Sequence, residues 1–269
     1  MLNINTNYGA AFAANAAKGT NNALNTAFER LSSGLRINFA KDDAAGQGIA
    51  MRLSAEVKSL NMASRNASDA QAMIDTADGA YKEVHNMLLR MREIAVQAVN
   101  GTLNDADRTA LNSEVSELEK EIKSIADNTE FAGVALGTST AVTFQIGTGN
   151  GDTIDHTFED FDASAIGADV AVDTATNAGN AVSTLDAAIS TISTRRGELG
   201  ALSNRLSSTI ANLDNIAVNL SSARGRIQDT DFATETSNLA KSQIMQQAAT
   251  AMLAQANASK GSVLTLIQS

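Results

Sequence analysis

The sequence predicts a mainly α fold, an elongated antiparallel helical bundle or coiled coil carrying one small β-hairpin. Three observations predict it. Apolar residues recur at alternating steps of three and four from Leu60 to Ala98, the mark of a helix packed lengthwise on other helices. A matching stripe runs far downstream, from Leu185 to Ile227. Finally, none of the 269 residues is Pro, which suits long helices without kinks.

The first seam reads Leu60, Ala63, Ala67, Ala70, Ile74, Ala77, Tyr81, Val84, Leu88, Met91, Ala95 and Ala98. Its many Ala residues allow a neighbouring backbone to approach closely. Before it, periodicity stops between Arg36 and Gly48, so this stretch reads as a connector with Asp42 or Asp43 capping the next helix. Asn100-Gly101 ends the long helix, and Asn104 with Asp105 and Asp107 starts another. That shorter helix carries Leu111, Val115, Leu118, Ile122 and Ile125.

The downstream seam comprises Leu199, Leu202, Leu206, Thr209, Leu213, Ile216, Leu220, Ala223 and Ile227, with Leu185, Ala188 and Ile192 extending it backwards. Three helices can therefore share one core. Between the second and third, Val142, Phe144 and Ile146 alternate with polar residues, as do Ile154, His156 and Phe158. The glycine-rich Gly147–Asp152 joins them, which predicts a β-hairpin near 141–159. Residues 160–180 are small and polar and read as a loop free to vary.

The two ends differ from the rest. Residues 1–28 hold one charge, Lys18, and residues 236–269 hold two, Lys241 and Lys260. No acid occurs in either, so the remaining 29–235 carry −13 of a net charge of −10. Leu24, Phe28, Leu31 and Leu35 repeat at helical spacing, as do Met245, Ala249, Met252 and Ala256, with Val263 and Ile267 continuing the trend. Their few large apolar side chains return less than the entropy of ordering the backbone. Each end alone is expected to be disordered, and to fold when buried among copies of itself. The expected organisation is an assembly helix and connector over 1–43, a helical rod over 44–229, and a second assembly helix over 230–269.

Composition excludes several classes. The acidic balance argues against nucleic acid and anionic membrane surfaces. No window approaches a membrane span. Zero Cys removes disulfides and thiolate metal sites, and Met1–Ala17 lacks the pattern of a cleaved secretory signal. Gly46-Gln47-Gly48 has Met51 where a dinucleotide loop needs a third Gly, and no strand precedes it. Gly149-Asn150-Gly151-Asp152 occurs once and reads as a turn, not a calcium repeat. The two histidines, His85 and His156, have no ligand cluster around them, and His85 reads as a helix-surface residue. Acids on the helices read as solvated faces and pairs such as Glu119 with Lys123. No catalytic constellation, metal site or cofactor site is expected.

Leu31-Ser32-Ser33-Gly34-Leu35-Arg36-Ile37-Asn38 and Ala40-Lys41-Asp42-Asp43-Ala44-Ala45-Gly46 closely resemble the N-terminal signature of bacterial flagellins. Asn219-Leu220-Ser221-Ser222-Ala223-Arg224, Ile227-Gln228-Asp229-Thr230-Asp231 and Leu253-Ala254-Gln255-Ala256-Asn257 resemble the C-terminal one. The likeness covers nearly all of 1–135 and 180–269. Phe39, Gly48 and the Pro-free turn Ser259–Ser262 depart from the pattern.

This resemblance implies a subunit of the extracellular filament that drives swimming, exported by the flagellar type III apparatus, in a short form without outer variable domains. The terminal helices would pair in the assembled filament, and Leu24, Phe28, Leu31, Leu35, Met245, Met252, Val263 and Ile267 would form the assembly core. The rod core would be Leu60, Ile74, Tyr81, Val84, Leu88, Met91, Leu118, Ile122, Leu202, Leu206, Leu213, Ile216 and Leu220. Implied partners are further copies of the chain, an export chaperone on the C-terminal segment, and the filament cap and hook-junction proteins. A hook–filament junction protein, or a secreted helical adhesin or translocator, are the alternatives. Leu88–Gln97 also resembles the segment bound by the vertebrate flagellin-sensing Toll-like receptor. On that likeness Arg90, Glu93, Ile94 and Gln97 form an outward ridge at i, i+3, i+4 and i+7, with Glu114 as a second contact.

Overall fold

The computed structural model describes the backbone of residues 6–268 and the side chains of residues 6–259. Nine elements follow in order: α1 (Tyr8–Ser33), α2 (Ala44–Val99), α3 (Asp105–Asn128), β1 (Glu130–Phe131), β2 (Val134–Ala135), β3 (Thr140–Gln145), β4 (Thr153–Phe158), α4 (Ala175–Gln228) and α5 (Phe232–Gln268). They form two compact units, Glu56–Val218 and the combination of Met1–Ala55 with Asn219–Ser269.

In the unit Glu56–Val218, α2 and α4 run antiparallel. Polar pairs mark the register: Ser64 with Asp214, Gln71 with Ser207, Asp78 with Arg196, and Arg92 with Asp186. Between them every residue of the α2 seam from Leu60 to Ala98 is buried. Each large member, such as Leu88 or Met91, contributes about 1.5–3 kcal/mol by leaving water. Leu185, Ala188, Ile192, Leu199, Leu206 and Leu213 face them from α4, and Val115 and Ile122 from α3. Leu118 and Leu202 are half-buried and pack against this core.

Ile216 departs from the expectation. It is exposed, and Ala217 beside it is buried instead. Here α4 lies beside α2 near Ser64, whereas α3 meets α2 near Arg90. Two helices bury a narrower stripe than three, and Ile216 falls outside it. Leu220, in the other unit, is half-buried.

α3 begins with a capping box, Asn104 accepting from the Asp107 N–H and the Asp107 carboxylate accepting from the Asn104 N–H, which satisfies two otherwise orphaned donors. The β3–β4 hairpin pairs Val142 with His156 and Phe144 with Ile154, so one face of alternating residues reaches the core. Phe144, Ile154 and Phe158 are buried. The small β1–β2 hairpin was not foreseen. Its turn residues Ala132 and Gly133 both have positive φ, 50° and 82°, and Ala at such a position sends no turn signal.

Residues 160–180 are not a free loop. Phe161, Ala163, Ile166, Ala168 and Val172 are buried in the core, and α4 already begins at Ala175. The Tyr81 hydroxyl donates to the Glu159 carbonyl at 2.9 Å, and its ring lies 4.8 Å from that of Phe161. Burial pushes the Tyr81 hydroxyl pKa up to about 12. From α3, Glu119 accepts the Val170 N–H and Asn112 the Val172 N–H, each at 2.8 Å. Glu119 therefore serves this segment and does not pair with Lys123, which meets Asp127 and Asp162.

Candidate functional site

In the unit containing both chain ends, α1 and α5 pair antiparallel. Asn7 donates to the Ala256 carbonyl, Gln246 to Asn21, and Arg30 meets Glu235 at 3.7 Å. The faces in contact repeat at heptad spacing and, apart from Glu235, are built from small residues. Ala13, Thr20 and Ala27 are buried on α1, and Glu235, Ser242 and Ala249 on α5. Small side chains bring two backbones close, but they leave little apolar area between them.

The large apolar residues point elsewhere. On α1, Tyr8 and Phe12 are 68% and 76% exposed; on α5, Ile244, Met245 and Met252 are 66%, 50% and 62% exposed. Leu24, Leu31 and Leu35 are half-buried, while Phe28 is turned to solvent. The expected stripes thus resolve into two parts. Ala249 lies within the pair, and Met245 and Met252 flank it. The side chains of Val263 and Ile267 lie outside the described residues. A groove of about 580 Å³ runs along the pair, lined by Ala16, Gly19, Ala23, Asn238 and Met245 among others.

The connectors beside this pair are fixed by main-chain bonds. α1 ends at Gly34, whose φ of 72° closes the helix with an N–H to the Arg30 carbonyl, a conformation that favours Gly. Arg36 donates its N–H to Gln228 and its guanidinium to the Ile227 carbonyl, both at 2.7 Å. Thr230 donates back to Gly34 at 3.0 Å. Asp42 accepts from the Asn38 and Phe39 N–H groups, and Asp43 from the Gly46 N–H at 2.9 Å, capping α2. The Phe39 bond holds the Asp42 carboxyl below its ordinary range. Asp231 opens α5 by accepting from Ala233 and Thr234, and the Thr234 bonds likewise lower its pKa. The two quoted signature stretches, 31–46 and 219–231, therefore hydrogen-bond each other.

In the other unit, Arg90 reaches from α2 to Glu114 on α3, with Nη2 at 2.7 Å and Nε at 3.0 Å from Oε1. Its Nη1 meets Glu93 at 3.2 Å. Hydrogen bonds from Glu114 and then Glu93 raise the Arg90 pKa. Arg90, Glu93, Gln97 and Glu114 are exposed, as is Leu89. Ile94 is not part of an outward ridge: it is fully buried beside Ala95. With α3 packed against α2, the buried face widens to include Ile94 next to the seam proper.

One structural feature of the core carries no local sequence signal. Arg108, almost fully buried, donates Nε to the Ala98 carbonyl and Nη2 to the Asn100 carbonyl. His85 also differs from expectation. It is half-buried, and its Nδ1 is shielded from solvent without a hydrogen-bond partner. His156 packs edge-on against Phe158 at 4.9 Å, and burial lowers its pKa. Among the described residues, no three His, Asp or Glu are grouped to hold a metal ion, and no helix is long and apolar enough to cross a membrane.

Long helices with capped ends, a terminal pair of small-residue contact and exposed apolar flanks define a structural protein built for helix packing. Residues 4–137 match the family model for the bacterial flagellin N-terminal helical region, and residues 182–267 that for the C-terminal helical region. The chain is 43% identical to a flagellin of Halalkalibacterium halodurans over 247 residues, covering 90% of this chain and 91% of that one. It is 39% identical to a flagellin of Bacillus subtilis, covering 99% of this chain and 100% of that one. The crystal structure of Bacillus cereus flagellin matches with a TM-score of 0.52 and 32% identity, over 60% of this chain and 94% of that one. The chain belongs to the bacterial flagellins, and is a filament subunit of short form.

Proposed function

We propose that the α1–α5 pair is the part of the subunit that becomes the interior of the filament, with no catalytic role for any residue. The observation that carries this is the division of labour within the pair. Small residues hold α1 to α5, while Tyr8, Phe12, Ile244, Met245 and Met252 remain exposed. Isolated surface apolar residues need no explanation, but a terminal pair with so little charge and so many of them is an interaction surface. Copies of the same pair supply the apolar partner. The division into 1–43, 44–229 and 230–269 then separates assembly from scaffold.

Export before folding through the flagellar type III apparatus, an extracellular location and a role in swimming complete this reading. So do a chaperone on the C-terminal segment and contacts with cap and hook-junction proteins. The Arg90, Glu93, Gln97 and Glu114 surface is a contact for the vertebrate flagellin-sensing receptor in released subunits, with Leu89 at its margin and Ile94 supporting it from the core.

Deletion of residues 240–269 tests assembly. Polymerisation should be abolished in light scattering and electron microscopy, while circular dichroism should show the remaining helices folded. Met252→Glu is the milder version, placing an unpaired acid in a dry interface at a cost of several kcal/mol. Filaments of normal length and yield from either protein overturn the proposal.

A further inference from the structure

The chain contains eight Met and no Cys, so thioether sulfur is its only oxidisable sulfur. Burial divides these residues. Met73 and Met91 are 5% and 0% exposed within the helical core, whereas Met245 and Met252 on α5 are half or more exposed. A spacing of seven places the latter two on the same side of α5. Met245 lines the groove beside Ala16, Gly19 and Ala23 of α1.

We infer that Met245 and Met252 form a modification site at which hydroperoxides switch off assembly of the free subunit. The thioether sulfur attacks the peroxide; the O–O bond breaks and an S–O bond forms. Sulfur loses two electrons to the peroxide and keeps its near oxygen; the proton on that oxygen passes to the departing hydroxide, which leaves as water. The product sulfoxide is polar and chiral, and disrupts apolar contacts made through Met. Burying it in a subunit interface without a hydrogen-bond donor is unfavourable. In the polymer the same sulfurs are enclosed and react slowly, so the switch acts before incorporation. The inference rests on the assignment of this face to subunit contacts.

The test treats purified subunit with graded hydrogen peroxide and maps each sulfoxide by peptide mass spectrometry. The critical concentration for polymerisation is then measured. Sulfoxides at 245 and 252 are expected to raise it at least tenfold, and methionine sulfoxide reductases to restore it. The double variant Met245→Leu/Met252→Leu, close in volume, is expected to keep its own untreated critical concentration after the same treatment. Met51→Leu/Met62→Leu, which removes two other exposed sulfurs, is expected to stay sensitive.

Subunit oxidised at both positions that assembles like untreated protein overturns the inference, and so does a Leu variant that remains sensitive. If that variant fails to assemble even untreated, reductase rescue decides: oxidised wild type that is repaired yet still inert overturns it. The underlying assignment fails separately. Equal oxidation rates of Met245 and Met252 in monomer and polymer would remove the face from the interface.

Discussion

Arg108 closes the end of α2 at Ala98, its Nε lying 3.0 Å from the Ala98 carbonyl oxygen. The same guanidinium reaches the Asn100 carbonyl through Nη2 at 3.1 Å. A helix end leaves carbonyls without intrahelical partners, and a basic side chain can satisfy them. Arg108→Ala leaves these acceptors unmet in a buried site. It should destabilise the helical core by about 2–3 kcal/mol in urea unfolding. Arg108→Lys should recover only part of this, because an ammonium lacks the planar fork that serves two carbonyls. Unchanged unfolding midpoints in both variants would contradict this role.

Order in the terminal pair should depend on assembly. Within residues 6 to about 40 and 232–259, contacts between α1 and α5 are made mainly by small side chains such as Ala13, Ala27 and Ala249. Such a pair opens readily compared with the large-residue core around Leu88 and Phe158. Amide exchange in the monomer should be fast in these ranges and slow in 60–98. In the polymer both should be slow. Strong protection of 239–259 in a verified monomer would count against this.

Stability should fall in mildly acid solution because of His156. Its ordinary value is 6.5, and burial lowers it in the folded protein. Below 6.5 the unfolded chain takes up a proton that the folded one refuses, so protons favour unfolding. The stabilisation is whole above 6.5 and declines as pH falls from there to the lower folded value. His156→Gln should flatten that part of the stability curve. A curve of identical shape in the variant would remove His156 as its source.

Receptor signalling tests the Arg90 surface. Arg90 is exposed and its partners Glu93 and Glu114 lie on the same surface, so Arg90→Ala should leave the fold intact. A central Arg whose fork bridges two proteins is a frequent hot spot, and its loss weakens binding on the order of thirtyfold. Cells bearing the vertebrate flagellin-sensing receptor should respond to wild-type monomer and require correspondingly more of the variant. Equal potency of a normally folded variant would leave Arg90 a purely structural residue.

The helices were legible because their burial is periodic. All twelve residues of the Leu60–Ala98 seam are buried, and Asn104 caps α3 as its sequence context indicates. The β3–β4 hairpin was legible from alternation, down to Phe144 opposite Ile154. Residues 160–172 were not, because Phe161, Ala163, Ile166, Ala168 and Val172 follow no period and bury themselves by filling gaps on α2 and α3. Arg108 was equally hidden, since nothing local distinguishes a buried Arg capping another helix from an Arg in water.

For the candidate site, the sequence alone determined which segments are nearly uncharged and amphipathic, because charge count and spacing are local properties. It could not decide which apolar residues face the partner helix and which remain outside. That was settled by the close approach of α1 to α5. Two backbones held together by Ala13, Ala27 and Ala249 leave no room between them for Phe12, Phe28 or Met252, so those side chains are displaced outward. The same reason governs Ile94. Periodicity placed it one step off the seam, and only the docking of α3 on α2 took it out of water.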